Sequence, residues 1–300
     1  MSLSLPLHSL FTPLSLLLVL VLFSCQERRA IDDQGKTSAC WVYAMLTCIE
    51  HESAMRGDSV QLSRQWLVAR ELEEQTEKAY FGYQSGRVNH HSLISCRGVG
   101  PEVLQLIDRY GLVPYQNEKT EITKSSVLER KLSLLAGQAK SLEELREREK
   151  ELLPQFSITS RNGAFYYFSQ RYTPHQFAES IMYCQRWRFY ASVPYHTYGE
   201  TFALEVPDNY NDHGYINMPM DSIENKVLAS LRAGHAVYWE YGRRTNDGLV
   251  TSDHAMAIVG IRNNKLLCRN SYGKDWGRNG YCLVSLDKFR KTTCNVGISQ

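Results

Sequence analysis

The chain has 300 residues, of which 43% are apolar and 22% are charged, and its formal net charge is +2. This length suits one large domain or two lobes that share an interface, and the composition is ordinary for a globular protein. The charged residues form no basic stripe, so the sequence gives no indication of a nucleic-acid partner.

An apolar run occupies residues 14–23, the length of a signal-peptide core and too short to span a bilayer. Ser24 and Cys25 follow it, and the chain then becomes polar. A small residue and a Cys after an apolar run resemble a bacterial lipobox, in which the Cys is lipidated and begins the mature chain. We therefore predict a lipoprotein signal peptide over residues 1–24 and a lipid anchor on Cys25, which holds the exported protein on a membrane of the bacterial cell envelope.

Two alternatives to this signal remain, an ordinary cleaved signal peptide and an uncleaved anchor. No Lys or Arg precedes the apolar run, although the usual signal peptide begins with positive charge. Export would place the cysteines in an oxidising compartment, where some could pair, but sequence alone does not choose the pairs. The eight cysteines are Cys25, Cys40, Cys48, Cys96, Cys184, Cys268, Cys282 and Cys294.

Helical patterns fill the first half of the chain. A helix is predicted to open at Cys40, because the apolar residues after it recur at helical spacing, and another covers residues 103–110 with Gly111 just past its end. Residues 117–153 are rich in Glu, Lys, Arg and Leu and predict a solvated helical hairpin inserted between two lobes. Residues 221–224 resemble a capping box at the start of a later helix.

Strand patterns dominate the last part of the chain. Strands are predicted over residues 236–241, 255–261, 266–269 and 281–284, with a hairpin turn at Asn263 and Asn264. The fold class predicted from this order is α+β, with a helical first lobe and a β-rich second lobe.

The segment around Cys40 has the chemistry of a thiol nucleophile. A cysteine at a helix amino terminus is favoured as a thiolate, and a neighbouring imidazolium favours it further. Gln34 lies six residues earlier, and its side-chain amide together with the Cys40 backbone N–H can point two donors at a tetrahedral oxyanion.

A distant segment supplies the partners of that nucleophile. His254 heads an apolar strand, and Asn270 follows sixteen residues later. A hairpin between the two strands would set the Asn270 side-chain oxygen beside one imidazole nitrogen and leave the other nitrogen facing Cys40.

These segments resemble the papain family of cysteine peptidases. The family carries Gln, then Gly-Ser-Cys-Trp, and later Asn/Asp-His-Ala, Asn-Ser-Trp-Gly, Trp-Gly and Gly-Tyr, and this chain has close counterparts in that order over roughly residues 34–300. The resemblance implies a papain-like two-lobe fold with a β-barrel-like second lobe, making residues 25–300 one peptidase domain. It implies Cys40 as the nucleophile, His254 as the base, Asn270 as its orienting residue and Gln34 as an oxyanion donor. The substrate cleft would involve Gly98, Gly100, Trp41 and Asp253.

Several segments look closer to the bleomycin hydrolase/aminopeptidase C branch, among them residues 173–177, residues 217–221 and His254-Ala255-Met256. The chain also departs from papain. Thr37 stands where papain enzymes have the Cys that bridges to the counterpart of Cys96, and Tyr272 replaces a Trp that covers the Asn–His hydrogen bond. Only eight residues separate Cys25 from Gln34, so we expect no inhibitory pro-segment between them.

The predicted activity is hydrolysis of peptide or protein substrates through a thioester acyl-enzyme. No metal or organic cofactor is implied, since His90 and His91 are adjacent and no Cys-x-x-Cys pair occurs. The alternatives are a catalytically degenerate, lipid-anchored peptide-binding module, a cell-wall amidase with a Cys–His pair, and a peptide ligase on the same scaffold.

Overall fold

The computed structural model describes residues 31–86, 94–118, 122, 124–158, 163–194, 197–202, 214–246 and 250–300. The predicted signal peptide and Cys25 lie outside these residues, and so do His90 and His91. Within the described ranges, no helix combines the length and the apolar character needed to cross a bilayer.

Helices build the first lobe. They are α1 Cys40–Met55, α2 Arg64–Gln84, α3 Gly100–Tyr110, α4 Ser125–Gln138, α5 Leu142–Leu152 and α6 Pro174–Ile181. The central helix is α1, in which every residue from Trp41 to Ser53 is buried. A helix surrounded on all sides needs no single apolar face, which explains why polar and apolar residues alternate freely along α1.

Strands build the second lobe. They are β3 Trp187–Ala191, β4 Thr201–Phe202, β5 Tyr215–Asn217, β6 Val237–Arg244, β7 Val250–Arg262, β8 Lys265–Arg269, β9 Tyr281–Ser285 and β10 Thr293–Ser299. They pair in the order β4-β5-β3-β10-β6-β7-β8-β9. Every pair is antiparallel except β3 with β5. A separate hairpin joins β1 Phe165–Tyr167 to β2 Gln170–Tyr172.

Strands β6 and β7 are buried on both faces. On one face Tyr238, Ala255 and Ala257 join the core that contains α1. On the other, Trp239 and Met256 join a second core with the helices α7 Met220–Arg232 and α8 Leu286–Thr292. The period of two along a strand therefore sends successive side chains into different cores, and alanines on the α1 side allow that helix to approach the sheet closely.

The charged segment forms the predicted helical hairpin, α4 and α5, and α4 packs on α2. Leu128, Leu132, Leu135 and Leu145 are buried, so the hairpin contributes to the core of the first lobe. Its outer face carries ion pairs such as Arg146–Glu77, whose Nε–Oε1 distance is 2.7 Å.

Most of the element predictions are confirmed. The predicted turn at Asn263 and Asn264 has φ angles of 52° and 56°, as a tight hairpin turn with two left-handed residues requires. The predicted capping box is wrong, because α7 starts at Met220 with Pro219 as its N-cap and without a side-chain cap. The Glu224 carboxylate is instead paired with Arg290.

Candidate active site

Cys40 is the first residue of α1, and the backbone N–H of Ala255 on β7 favours its thiolate and acts to lower the pKa. The backbone N–H groups of Trp41 and Cys40 also favour the thiolate, as a helix amino terminus should. Burial outweighs these effects and, helped by the negative charge of Glu240, raises the pKa of the Cys40 thiol to about 11. The helix terminus alone therefore does not give a thiolate at neutral pH.

His254 lies within β7, one residue before Ala255, and is buried. Its Nε2 is 2.7 Å from Oδ1 of Asn270, which follows the end of β8. Burial lowers the pKa of His254, while the hydrogen bond to Asn270 acts in the opposite direction. The β7–β8 hairpin thus sets the two side chains together.

The orientation of the Asn270 side chain is fixed by a second hydrogen bond. Its Oδ1 also accepts from the backbone N–H of Ser271 at 2.8 Å. Its Nδ2 is buried without a hydrogen-bond partner among the described residues. Because an amide oxygen only accepts, His254 must donate through Nε2, which leaves Nδ1 as the nitrogen available for proton exchange in the neutral ring.

Gln34 is buried and held by the residue that follows Asn270. Its backbone N–H donates to the Ser271 carbonyl at 2.8 Å, and the Ser271 hydroxyl donates to Gln34 Oε1 at 2.5 Å. Its Nε2 donates to the carbonyl of Thr37 at 2.7 Å. With the oxygen bound by Ser271, Nε2 is turned toward the segment that leads to Cys40, and its second hydrogen is the candidate oxyanion donor.

A buried ion network holds the segment around Gln34 in place. Asp32 pairs with Arg64 of α2 at 3.0 Å and with Arg269 of β8 at 3.4 Å. Arg64 also makes a close ion pair with Glu50 of α1. The network joins the amino-terminal segment, two helices and the sheet at a point next to Asn270.

Glu240 is a buried carboxylate on β6 that the sequence analysis did not identify. It accepts from Gly100 N at 3.1 Å, from Asn295 Nδ2 at 2.8 Å and from the Tyr238 hydroxyl, and burial raises its pKa. It ties the Gly98–Gly100 segment to the sheet beside Cys40. The signal for it in the sequence is a single Glu among the apolar and aromatic residues at the start of β6.

The residues predicted for the substrate cleft fall into different environments. Trp41 is 2% exposed, donates from Nε1 to the Cys96 carbonyl at 2.8 Å and lies beneath Gly98, where an added Cβ would be 2.6 Å from the indole. We therefore reassign Trp41 from substrate contact to support of the Gly98 segment. Asp253 is exposed and pairs with Arg243 at 3.1 Å.

All seven cysteines of the described ranges are free. Cys96 is buried without a disulfide, in keeping with Thr37 at the position of its usual partner. Cys268 and Cys282 face each other across β8 and β9, and a hydrogen bond from Cys268 lowers the pKa of Cys282 to about 7. Among the residues described, no cluster of three or more His, Cys, Asp or Glu side chains is arranged to hold a metal ion.

Comparisons with known proteins return peptidases among the similar chains. No family model matches the chain. Aminopeptidase W of Lactobacillus delbrueckii subsp. lactis is 23% identical, over 90% of this chain and 80% of that protein. The crystal structure of PepW from Lactobacillus rhamnosis HN001 superposes with a TM-score of 0.70 at 16% identity, over 91% of this chain and 80% of that one.

The Carica candamarcensis cysteine protease CMS1MS2, solved with E-64, also matches, with a TM-score of 0.43 at 15% identity, over 93% of this chain and 96% of that one. The superposition on PepW confirms the predicted papain-like α+β fold, and the similarity to aminopeptidase W supports the predicted class of enzyme, a peptidase.

Proposed function

We propose that the protein hydrolyses peptide bonds through a thioester acyl-enzyme formed on Cys40. His254 acts as base and then acid, Asn270 orients it, and Gln34 Nε2 with the Cys40 backbone N–H binds the oxyanion. A series of hydrogen bonds supports this most directly. His254 is bonded to Asn270, Asn270 to Ser271, and Ser271 to Gln34. The proposed base and the proposed oxyanion donor are therefore held by two neighbouring residues.

Each step assigns a proton to one of these groups. The Cys40 sulfur attacks the carbonyl carbon as His254 Nδ1 takes the thiol proton. This gives a tetrahedral intermediate in which the former carbonyl oxygen is an oxyanion. The C–N bond then breaks, and His254 gives the proton to the leaving amine. Water attacks the thioester with His254 as base, and the acid product leaves with the thiol restored.

Burial of the thiol and of the imidazole opposes charge on each of them. The proton transfer from Cys40 to His254 must therefore be assisted as the reaction proceeds. Developing charge on the oxyanion, met by fixed donors, is the assistance that this geometry offers.

Hydrolysis of fluorogenic peptides by the purified protein tests the proposal. Cys40→Ala should abolish turnover with the unfolding midpoint unchanged, whereas Cys184→Ala, which alters an exposed cysteine, should leave turnover intact. Because one similar protein is an aminopeptidase, matched substrates with a free and an acetylated amino terminus should be compared. Turnover that survives Cys40→Ala would contradict the assignment, and a folded protein without turnover or thiol labelling would favour the peptide-binding module.

We also propose, from the sequence pattern at residues 14–25, that the exported protein is anchored in the bacterial envelope by a lipid on Cys25. Expression with an alkyne fatty acid should label the full-length chain and place it in the detergent phase of a phase-separation assay. Cys25→Ser should lose both properties, and Cys184→Ser should keep them. An unlabelled chain that stays with the membrane would indicate an uncleaved anchor.

A further inference from the structure

Two cysteines oppose each other on neighbouring strands close to Asn270. Cys268 of β8 and Cys282 of β9 are direct partners in the register of these antiparallel strands. Opposed residues of such a pair point to the same face of the sheet. Both side chains pack into the second core, and each thiol affects the ionisation of the other, so the two sulfur groups are close neighbours.

The backbone geometry at this pair suits a disulfide. The backbone N–H of Asn270 donates to the carbonyl of Gly280 at 2.9 Å, and these residues lie two positions further along the same register. Hydrogen-bonded and non-hydrogen-bonded pairs alternate along antiparallel strands, so Cys268 and Cys282 also form a hydrogen-bonded pair, in which the Cα atoms are about 5.5 Å apart. Disulfides span Cα distances of about 4.4–6.8 Å, so the Cα separation of the pair already matches that of a disulfide.

Cys282 is the thiol that a reagent in solution reaches first. Among the described strands, β9 is the last in the order of the sheet, and Cys282 is partly exposed, whereas Cys268 is fully buried. Cys268 first, and then the positive charge of Lys288 on α8, lower the pKa of Cys282 to about 7, against the effect of burial. A thiolate is the form that attacks a disulfide.

We propose that Cys268 and Cys282 are a disulfide site, at which a small-molecule disulfide such as oxidised glutathione oxidises the two thiols and links β8 to β9. The bond closes the segment 269–281 into a loop, and this segment carries Asn270 and Ser271, which hold His254 and Gln34. Formation of the disulfide therefore restricts the segment that orients the proposed site. The inference goes beyond the proposed peptidase activity and does not depend on it.

The reaction takes place in two exchanges. The Cys282 thiolate attacks one sulfur of the small disulfide, forms a mixed disulfide and releases one small thiolate, which takes up a proton. The Cys268 thiol then loses its proton and its sulfur attacks the Cys282 sulfur, which forms the protein disulfide and releases the second small thiol. The two protein thiols lose two electrons and the small disulfide gains them, so no other oxidant is required.

The test is peptide mapping without reduction. The purified protein is reduced, freed of the reductant and incubated near neutral pH with oxidised glutathione, and the remaining thiols are then blocked with N-ethylmaleimide. Trypsin cuts at the Lys and Arg residues around both cysteines, so Cys268 and Cys282 fall in separate peptides, residues 266–269 and 279–288. We expect these peptides to appear joined, with a mass two hydrogen atoms below their sum, and to separate on reduction.

Three variants assign each step to its cysteine. Cys268→Ala removes the buried partner, so glutathione should remain attached to Cys282. Cys282→Ser removes the accessible thiol, so Cys268 should stay unmodified. Cys184→Ser is the matched control, because it removes an exposed cysteine outside these two strands, and the joined peptide should form in it as in the parent.

Thermal unfolding measures the restriction of the segment. The oxidised parent should unfold about 5 °C above the reduced parent, because the bond limits the unfolded chain, and Cys268→Ala treated in the same way should show no such rise. The inference is overturned if the folded parent keeps glutathione on Cys282 without a joined peptide, if the joined peptide forms only in urea, or if the joined parent has no higher midpoint. None of these results measures turnover at Cys40, so each leaves the peptidase proposal to its own test with Cys40→Ala.

Discussion

Ser271 and Gln34 bind each other through two hydrogen bonds, one from the Gln34 backbone N–H to the Ser271 carbonyl and one from the Ser271 hydroxyl to Gln34 Oε1. This pair couples the proposed oxyanion donor to the residue that follows Asn270. An amide that has its oxygen bound can present only its N–H groups to a substrate. The serine of the Asn-Ser segment thereby acquires a specific role in orienting Gln34.

Loss of the Ser271 hydroxyl should therefore weaken transition-state binding. For Ser271→Ala we expect kcat to fall about tenfold with KM nearly unchanged, less than the roughly 100-fold or greater loss from removing an oxyanion donor outright, as in Gln34→Ala. Ser271→Thr keeps a hydroxyl and should retain most of the activity. Steady-state kinetics on one fluorogenic peptide measures all three, and equal losses in Ser271→Ala and Ser271→Thr would show that the hydroxyl does not orient Gln34.

Removing the acceptor of the His254 Nε2 hydrogen should lower the pKa of His254 further, because that hydrogen bond favours the protonated ring. For Asn270→Ala we expect kcat/KM at pH 7 to fall roughly 10- to 100-fold and Cys40 alkylation to slow with it. Asn270→Asp keeps an acceptor and should lose less. The ring resonances of His254 followed by NMR against pH give the direct check, and an unchanged titration in Asn270→Ala would contradict the argument.

The ion network at Arg64 should be a large contributor to stability. Arg64 is buried between Asp32 and Glu50, so Arg64→Met leaves the buried Glu50 without its cation and Asp32 with Arg269 alone. We expect the free energy of unfolding in urea to fall by about 3 kcal/mol or more. Arg146→Met breaks the exposed pair with Glu77 and should cost roughly 0.5 kcal/mol. Similar losses of unfolding free energy in the two variants would show that the buried network contributes no more than an exposed ion pair.

Cys282 should be a reactive thiol at neutral pH. Cys268 faces Cys282 across β8 and β9 and lowers the pKa of Cys282 to about 7, which favours its thiolate. We expect iodoacetamide to modify Cys282 with a midpoint near that pH, and the midpoint to rise in Cys268→Ala. Peptide mapping separates this labelling from that of Cys40, and a Cys282 midpoint unchanged by Cys268→Ala would contradict the role of the hydrogen bond.

The interface between α2 and the helical hairpin should be less stable at higher pH. Burial first, and then the charges of Glu73 and Glu77, raise the pKa of Glu149 to about 7. A carboxyl whose folded-state pKa lies above the unfolded value favours folding while it is protonated, and this contribution is lost as pH rises from about 4.5 through about 7. The stability of the parent relative to Glu149→Gln should therefore fall between pH 5.5 and 7.5, whereas Glu147→Gln, at an exposed position, should show no such trend.

Much of the fold could be predicted from the sequence because its elements carry strong local signals. Asn263 and Asn264 mark a hairpin turn, and the leucines of α4 and α5 recur at helical spacing. The start of α7 could not be predicted from a local sequence signal. The sequence predicted a capping box at residues 221–224, but α7 starts at Met220 without a side-chain cap and the Glu224 carboxylate pairs with Arg290 of a distant helix.

The residues of the candidate site could also be predicted only in part. Gln34, Cys40, His254 and Asn270 were identified by residue type, order and spacing. The roles of Ser271 and Glu240 were not, because each depends on which distant backbone its side chain meets. The family resemblance implied Trp41 as part of the cleft, but α1 is enclosed on all sides and the indole Nε1 donates inward to the Cys96 carbonyl. Contacts between segments far apart in the chain leave no local pattern to read.

The pairing of Gln34 with Ser271 joins positions that are 237 residues apart. During synthesis the chain must therefore extend as far as Ser271 before the proposed oxyanion donor, the imidazole and the thiol can meet. Until then Cys40 lies on a helix without the proposed base, so a chain truncated before this point would lack the proposed peptidase site. The order of synthesis therefore delays assembly of that site until the strands of the second lobe are made.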